Sequence, residues 1–190
     1  QQVASAVADG RFRRAGQTTQ FMVGATDESD REIGKASAWL YQKLGLARVY
    51  YSAFQPARGT PLEERPPTSF VREHRLYQMD FLLRKYGFGL EEIPFVDQGM
   101  LPVDADPKTM WARLHPERFP IEINNAAFEE LVRVPGIGPT SARRLLDWQA
   151  RGGLLRDPSV LHAAGASLRL AAPFVLLCGK APPRQLDLFR

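Results

Sequence analysis

Cysteine is almost absent from this chain: Cys178 is the single one in 190 residues. A lone thiol cannot make an internal disulfide, which excludes a disulfide-built fold. Nor can it supply the set of thiolates that an iron–sulfur cluster needs. Its apolar neighbours Phe174, Val175, Leu176 and Leu177 predict a small buried hydrophobe. No apolar run approaches the length that spans a bilayer, and no secretory signal pattern is present. Both absences point to a reducing cytoplasm and away from a membrane partner. The first residue is Gln1, not Met, so the chain reads as a fragment or a processed protein. At 44% apolar residues it can still bury a core, in one or two small domains.

Charge is sparse in net terms but uneven along the chain. Between Arg133 and Arg156 stand five arginines (133, 143, 144, 151 and 156) against Asp147 alone, a net of +4. The whole chain carries the same +4, so everything outside this stretch balances. The stretch surrounds Val134-Pro135-Gly136-Ile137-Gly138-Pro139-Thr140-Ser141-Ala142-Arg143-Arg144. Phe128, Leu131, Val132 and Val134 follow a helical period before it, and Pro135 ends that helix. Gly136 and Gly138 allow a tight turn and a close approach of backbone to a ligand. Thr140 or Ser141 is placed to cap the next helix. Exposed N–H groups at a helix N-terminus attract an anion, and a basic patch beside them suits a phosphate backbone. The candidate contacts are Pro135, Gly136, Ile137, Gly138, Thr140, Ser141, Arg143 and Arg144. The alternative is a tight turn between two core helices.

With Ile123-Asn124-Asn125-Ala126 and Glu129-Glu130-Leu131 before it, the stretch resembles the helix-hairpin-helix motif of DNA-binding proteins. The resemblance implies phosphate contacts that position the protein without reading sequence. Ala127 stands where the family often has Ser, Thr or Asp. Its capping box with Glu130 is therefore expected to be lost, weakening the first helix by about 1 kcal/mol. A second copy runs from Asp157 to Phe174, with Asp157 as cap and Pro158 at the first helical position. Its turn has Gly165 alone, so it is expected to pack rather than bind phosphate. His162 is assigned no role.

The first part of the chain has a different rhythm. Residues 19–24 read as a strand, Ser29-Asp30-Arg31-Glu32 as a capping box, and Ile33, Ala36, Leu40, Tyr41 and Leu44 as one helix face ended by Gly45. Residues 48–54 read as a second, buried strand. Strand, helix, strand implies a parallel pair. Two such strands need further partners, because parallel sheets are normally larger and covered on both faces.

Val23-Gly24-Ala25-Thr26-Asp27-Glu28-Ser29-Asp30 resembles the late-barrel motif of radical S-adenosylmethionine enzymes, and Gly59-Thr60-Pro61-Leu62-Glu63 resembles the turn after their last barrel strand. Residues 17–65 would then be the fifth and sixth strands of a partial barrel. The resemblance implies cofactor contacts at Val23, Gly24, Tyr51 and Ser52. Nearly the whole chain is similar to the C-terminal half of DNA modification/repair radical S-adenosylmethionine proteins, including Arg72–Gln78, Leu82–Phe88 and His115–Pro120. That family holds an iron–sulfur cluster on a Cys-x3-Cys-x2-Cys loop. This chain lacks the loop, so it holds no cofactor alone. S-adenosylmethionine and the cluster are expected in the full-length parent, whose missing N-terminal barrel half is an expected partner.

Residues 69–86 read as a long helix capped by Thr68 or Ser69 and stopped by Gly87. Tyr77, Phe81, Leu82 and Tyr86 would pack on the barrel; Arg72, His74, Arg75, Arg84 and Lys85 would meet DNA or form a solvated basic face. Residues 94–120 hold five prolines and read as turns with a short helix near Lys108–Leu114. The expected fold class is α/β plus all-α, arranged as 1–90 (partial barrel and helix), 91–120 (linker), 121–180 (hairpin domain) and 181–190 (tail). Function reads as the DNA-binding part of a DNA modification or repair enzyme, or as a non-catalytic DNA- and clamp-binding adaptor. No catalytic residue is assigned.

After Pro182-Pro183, the tail Gln185-Leu186-Asp187-Leu188-Phe189 resembles the pentapeptide that binds the bacterial sliding clamp. Gln185, Leu186, Leu188 and Phe189 would make the contacts; the alternative is a terminus packed back on the protein. Deleting residues 185–189 should abolish clamp binding in a pull-down and leave DNA affinity intact. Retained clamp binding rejects the tail motif.

Overall fold

A computed structural model describes residues 16–183. They form two units, one from residues up to 83 together with 88–107, the other from 84–87 together with 108 onward. Among the described residues are seven α-helices and two small parallel sheets. No helix among them is long and apolar enough to cross a membrane.

In the first unit, β1 (Thr18–Val23) and β2 (Arg48–Ala53) pair in parallel, Thr18 opposite Arg48 and Val23 opposite Ala53. Helix α1 (Asp30–Leu44) connects them. Its start follows from side-chain chemistry: Ser29 Oγ accepts the Glu32 N–H, and the Glu32 carboxylate accepts the Ser29 N–H at 2.8 Å. Its end follows from Gly45, whose φ of 60° is left-handed. Helix α2 (Phe70–Lys85) follows β2, with Ser69 Oγ accepting the Val71 N–H.

Val23, Val49, Tyr51 and Ala53 are buried on one face of the sheet. The opposite face is open: Met22 is 52% and Tyr50 42% exposed. β2 is thus half-buried rather than buried throughout, because only one of its faces is covered among the described residues. The Gly24–Asp30 loop is clamped by two arginines. Arg65 donates to the Gly24 carbonyl and to Asp27. Arg72 donates to the Glu28 carbonyl and, at 2.7 Å, to Asp30, whose other oxygen accepts the Leu101 N–H. Arg75 is spent on the carbonyls of Pro102 and Val103. Arg72 and Arg75 therefore stabilise their own unit, which corrects their reading as a DNA-facing surface.

The second unit opens with α3 (Pro107–Leu114), apart from its first residue, and closes through a parallel pair, β3 (Ile121–Glu122) with β4 (Val175–Leu176). Between the strands lie α4 (Phe128–Leu131), α5 (Pro139–Ala150), α6 (Ser159–Ala163) and α7 (Leu168–Ala171). Ile123, Leu131, Val134, Ile137, Leu145, Leu161 and Val175 make one core at 0% exposure. Tyr86, at the chain's entry to this unit, packs partly buried against that core, which corrects its expected place on the barrel. Asn124 ties the middle of the unit to its start, with Oδ1 accepting the Leu155 N–H and Nδ2 donating to the Leu155 carbonyl.

Cys178 is exposed, not buried. It sits in the turn after β4 with φ of 51°, so its side chain leaves the core that Leu177 still enters. α4 is also shorter than its apolar period suggests. Ala127 has no side-chain acceptor, but the Glu130 carboxylate accepts the Ala127 N–H at 2.8 Å. Half of the capping box survives, which corrects its expected loss.

Burial pushes the Glu122 carboxyl up, but hydrogen bonds from the N–H groups of Gly179, Asn124 and Cys178 and from the Asn124 amide outweigh it, leaving the carboxyl below its usual value. The stabilisation is present above the unfolded value of about 4.3 and is lost as pH falls through the folded one. Glu122→Gln should cost about 1–2 kcal/mol in denaturant melts near neutral pH, and the gap to the parent should close under acid conditions. A gap that persists unchanged in acid rejects the charge-assisted role.

Candidate nucleic-acid interface

The hairpin between α4 and α5 is built from the inside outward. Ile137 is fully buried and anchors the turn to the core. Its N–H donates to the Val134 carbonyl at 3.1 Å. Gly136 has φ of +79°, a region that favours glycine. A Cβ there would lie 2.7 Å from the Ser167 carbonyl oxygen and 2.9 Å from Leu170 Cβ. Gly138 takes the N-cap position of α5 with extended backbone, and Pro139 follows at the first helical position. No side chain caps this helix, which corrects the expectation that Thr140 or Ser141 would. Both residues lie inside the first turn, two and three positions after the N-cap.

That absence of a cap has a chemical consequence. The N–H groups of Gly136, Gly138, Thr140 and Ser141 meet no protein acceptor among the described residues. They cluster where the α5 dipole is positive. Thr140, Arg143 and Arg144 are exposed around them, as are Arg151 and Arg156, while Gly136 and Gly138 are half-buried. Pro135, Ile137 and Ser141 are buried. Those three shape the turn, and Ser141 offers its N–H rather than its hydroxyl. The Arg143 guanidinium lies 5.5 Å from the Phe128 ring centroid. Arg144 Nη1 donates to the Ala164 carbonyl at 3.3 Å.

The second hairpin, between α6 and α7, repeats this geometry. Gly165 has φ of +82°, matching Gly136. The two glycines pack reciprocally: Gly136 against Ser167 and Leu170, Gly165 against Ser141 and Arg144. Asp157 caps this copy by accepting the Ser159 N–H at 2.8 Å. The N–H groups of its turn, however, are consumed within the protein. Gly165 donates to His162, Ala166 to Leu161 and Ser167 to Gly136, at 2.8, 2.8 and 2.9 Å. Of the two turns, the first has the larger set of N–H groups left to bind an anion.

Residues 121–148 match the family model of the helix-hairpin-helix motif. No curated protein and no solved structure matches the chain. The helix-hairpin-helix match coincides with the first hairpin and points to DNA bound through its phosphates without sequence readout.

Lys108 is a residue that sequence reasoning missed. It is 7% exposed, and its ammonium donates to the Ile137 carbonyl at 2.5 Å. Nothing in the sequence near residue 108 signals this, since its partner lies in a distant turn. The remaining candidate residues fall elsewhere. Val23 and Tyr51 lie in the core of the first unit, and the Tyr51 hydroxyl hydrogen-bonds Ser37 Oγ at 2.9 Å. A Cβ on Gly24 would overlap Thr68 Oγ1 at 2.0 Å, so protein fills that space. Ser52 lies on the sheet's other, more open face. Gln185, Leu186, Leu188 and Phe189 lie outside the described residues.

The two hairpin glycines should separate experimentally. Gly136→Ala should lower stability by about 1–3 kcal/mol, because it forces a strained φ and a backbone collision. Gly138→Val meets chiefly Tyr86 Oη, 3.3 Å from a Cβ, and should stay folded while losing roughly tenfold or more in duplex affinity. A folded Gly138→Val protein that binds duplex like the parent rejects the hairpin as the contact.

Proposed function

We propose that the protein grips the phosphate backbone of DNA with the Gly136–Ser141 turn, Arg143 and Arg144, without reading base sequence. The observation that carries this is the contrast between the hairpins: one keeps its N–H groups available and the other spends them internally. Thr140 adds an exposed hydroxyl, and Arg151 and Arg156 extend the positive field.

The reading extends to the DNA-engaging portion of a radical S-adenosylmethionine enzyme of DNA modification or repair. Three observations support it. The Gly24–Asp30 loop joins β1 to α1 within a parallel β1–α1–β2 unit, and the Gly59–Glu63 turn comes after β2. That turn is self-closed, with Gly59 donating to Glu63 and Thr60 to the Ala57 carbonyl. The third observation is the treatment of the sheet edges. On the outer edge of β2, the N–H groups of Val49, Tyr51 and Ala53 donate to Tyr41, Tyr77 and Glu73. On the outer edge of β1, the N–H groups of Thr18, Gln20 and Met22 have no partner among the described residues. Among the described residues one edge is met by side chains and the other is without partners, which supports reading β2 as the last strand of a larger sheet on the β1 side.

The residues present do not fit an iron–sulfur cluster, because one cysteine cannot replace three thiolate ligands. No step through that group is derived. Recruitment to a sliding clamp through residues 185–189 completes the proposal; a non-catalytic adaptor with the same DNA and clamp contacts is its rival.

Duplexes of unrelated sequence should bind with affinities within about twofold of each other, and log K should fall linearly with log salt by about 0.9 per phosphate engaged. Flat salt dependence rejects phosphate binding. A Cys-x3-Cys-x2-Cys loop in the reading frame upstream of residue 1 supports the enzyme; a start codon without one leaves the adaptor.

A further inference from the structure

We infer that Lys108 is a positioning residue for anion binding: a buried ammonium behind the hairpin that strengthens the Gly138 N–H as a donor. The inference rests on the phosphate-binding reading of the same turn. Its geometry lies wholly within the second unit. Lys108 Nζ donates to the Ile137 carbonyl at 2.5 Å and lies 4.7 Å from the centroid of the Tyr86 ring. The Ile137 carbonyl and the Gly138 N–H are opposite ends of one peptide group. In a trans peptide they point in opposite directions.

A cation on the oxygen therefore polarises the whole group and leaves more positive charge on the hydrogen at the far end. That hydrogen is one of the N–H groups with no protein acceptor among the described residues. The Lys108 ammonium itself lies behind the turn. Little water reaches it, so its field is screened less than that of an exposed lysine. The Tyr86 ring provides a favourable face for the cation and holds it against the turn. Lys108 is thus directed at the peptide that would touch phosphate, without touching phosphate itself.

The test uses the full chain and a short duplex oligonucleotide. Lys108→Met keeps the apolar stem and removes the charge. It should weaken duplex binding on the order of fivefold. The Gly138 amide nitrogen should move upfield in its NMR spectrum, with the Gly165 amide unmoved. In the parent protein, the Lys108 ammonium should titrate at higher pH when duplex is bound than when it is absent, a readout that needs no variant. A folded Lys108→Met protein with parental affinity overturns the inference while leaving phosphate binding intact. If Lys108→Met does not fold, an unshifted Lys108 titration in the parent overturns it. Failure of the parent to bind duplex at all defeats the phosphate reading itself, and the inference with it.

Discussion

The second unit depends on one close approach of two backbones. The Gly136 carbonyl accepts the Ser167 N–H at 2.9 Å, and no Cβ fits at Gly136 without meeting Ser167 and Leu170. This contact interlocks the two hairpins. It also takes up an N–H group of the second hairpin. Ser167 stands in the second turn where Gly138 stands in the first, and its N–H is used in the interlock. This hydrogen bond joins the repeats and, with the internal bonds of Gly165 and Ala166, uses up the N–H groups of the second turn.

Around that interlock, polar side chains perform the work that helix ladders cannot. α4, α6 and α7 are too short to be stable by local hydrogen bonding. They persist because Ile137, Leu145 and Leu161 share a core and because Glu122 and Asn124 tie distant turns together. Lys108 is the extreme case, a buried charge held by a carbonyl and an aromatic face. The first unit solves a related problem differently. Its terminal strand edge is closed by the hydroxyls of Tyr41 and Tyr77 and the carboxylate of Glu73 rather than by another strand. Among the described residues the two edges of that sheet therefore differ, one met by side chains and the other without partners.

Much of this was legible along the chain because the signals are local. The Ser29–Glu32 box and Gly45 mark α1 at both ends, and Ser69 and Gly87 bracket α2, because caps act within four residues. Pro135, Gly136, Gly138 and Pro139 announce the hairpin for the same reason. The local reading failed where a competing contact was nonlocal. Arg72 and Arg75 look like a basic face in sequence, yet both are taken by groups distant in the chain. Cys178 follows an apolar run but leaves the core because the chain turns there with positive φ.

The sequence by itself determined where α1 and α2 start and stop, the parallel β1–α1–β2 order, and the place of the basic hairpin. Each follows from conformational preferences acting over a few residues. Tertiary structure alone decided which hairpin keeps its N–H groups available, which strand edge is closed, and that Lys108 lies behind Ile137. Those outcomes depend on pairing between residues far apart in the chain. Neither composition nor spacing encodes that pairing, and packing to native density fixes it only once the core has formed.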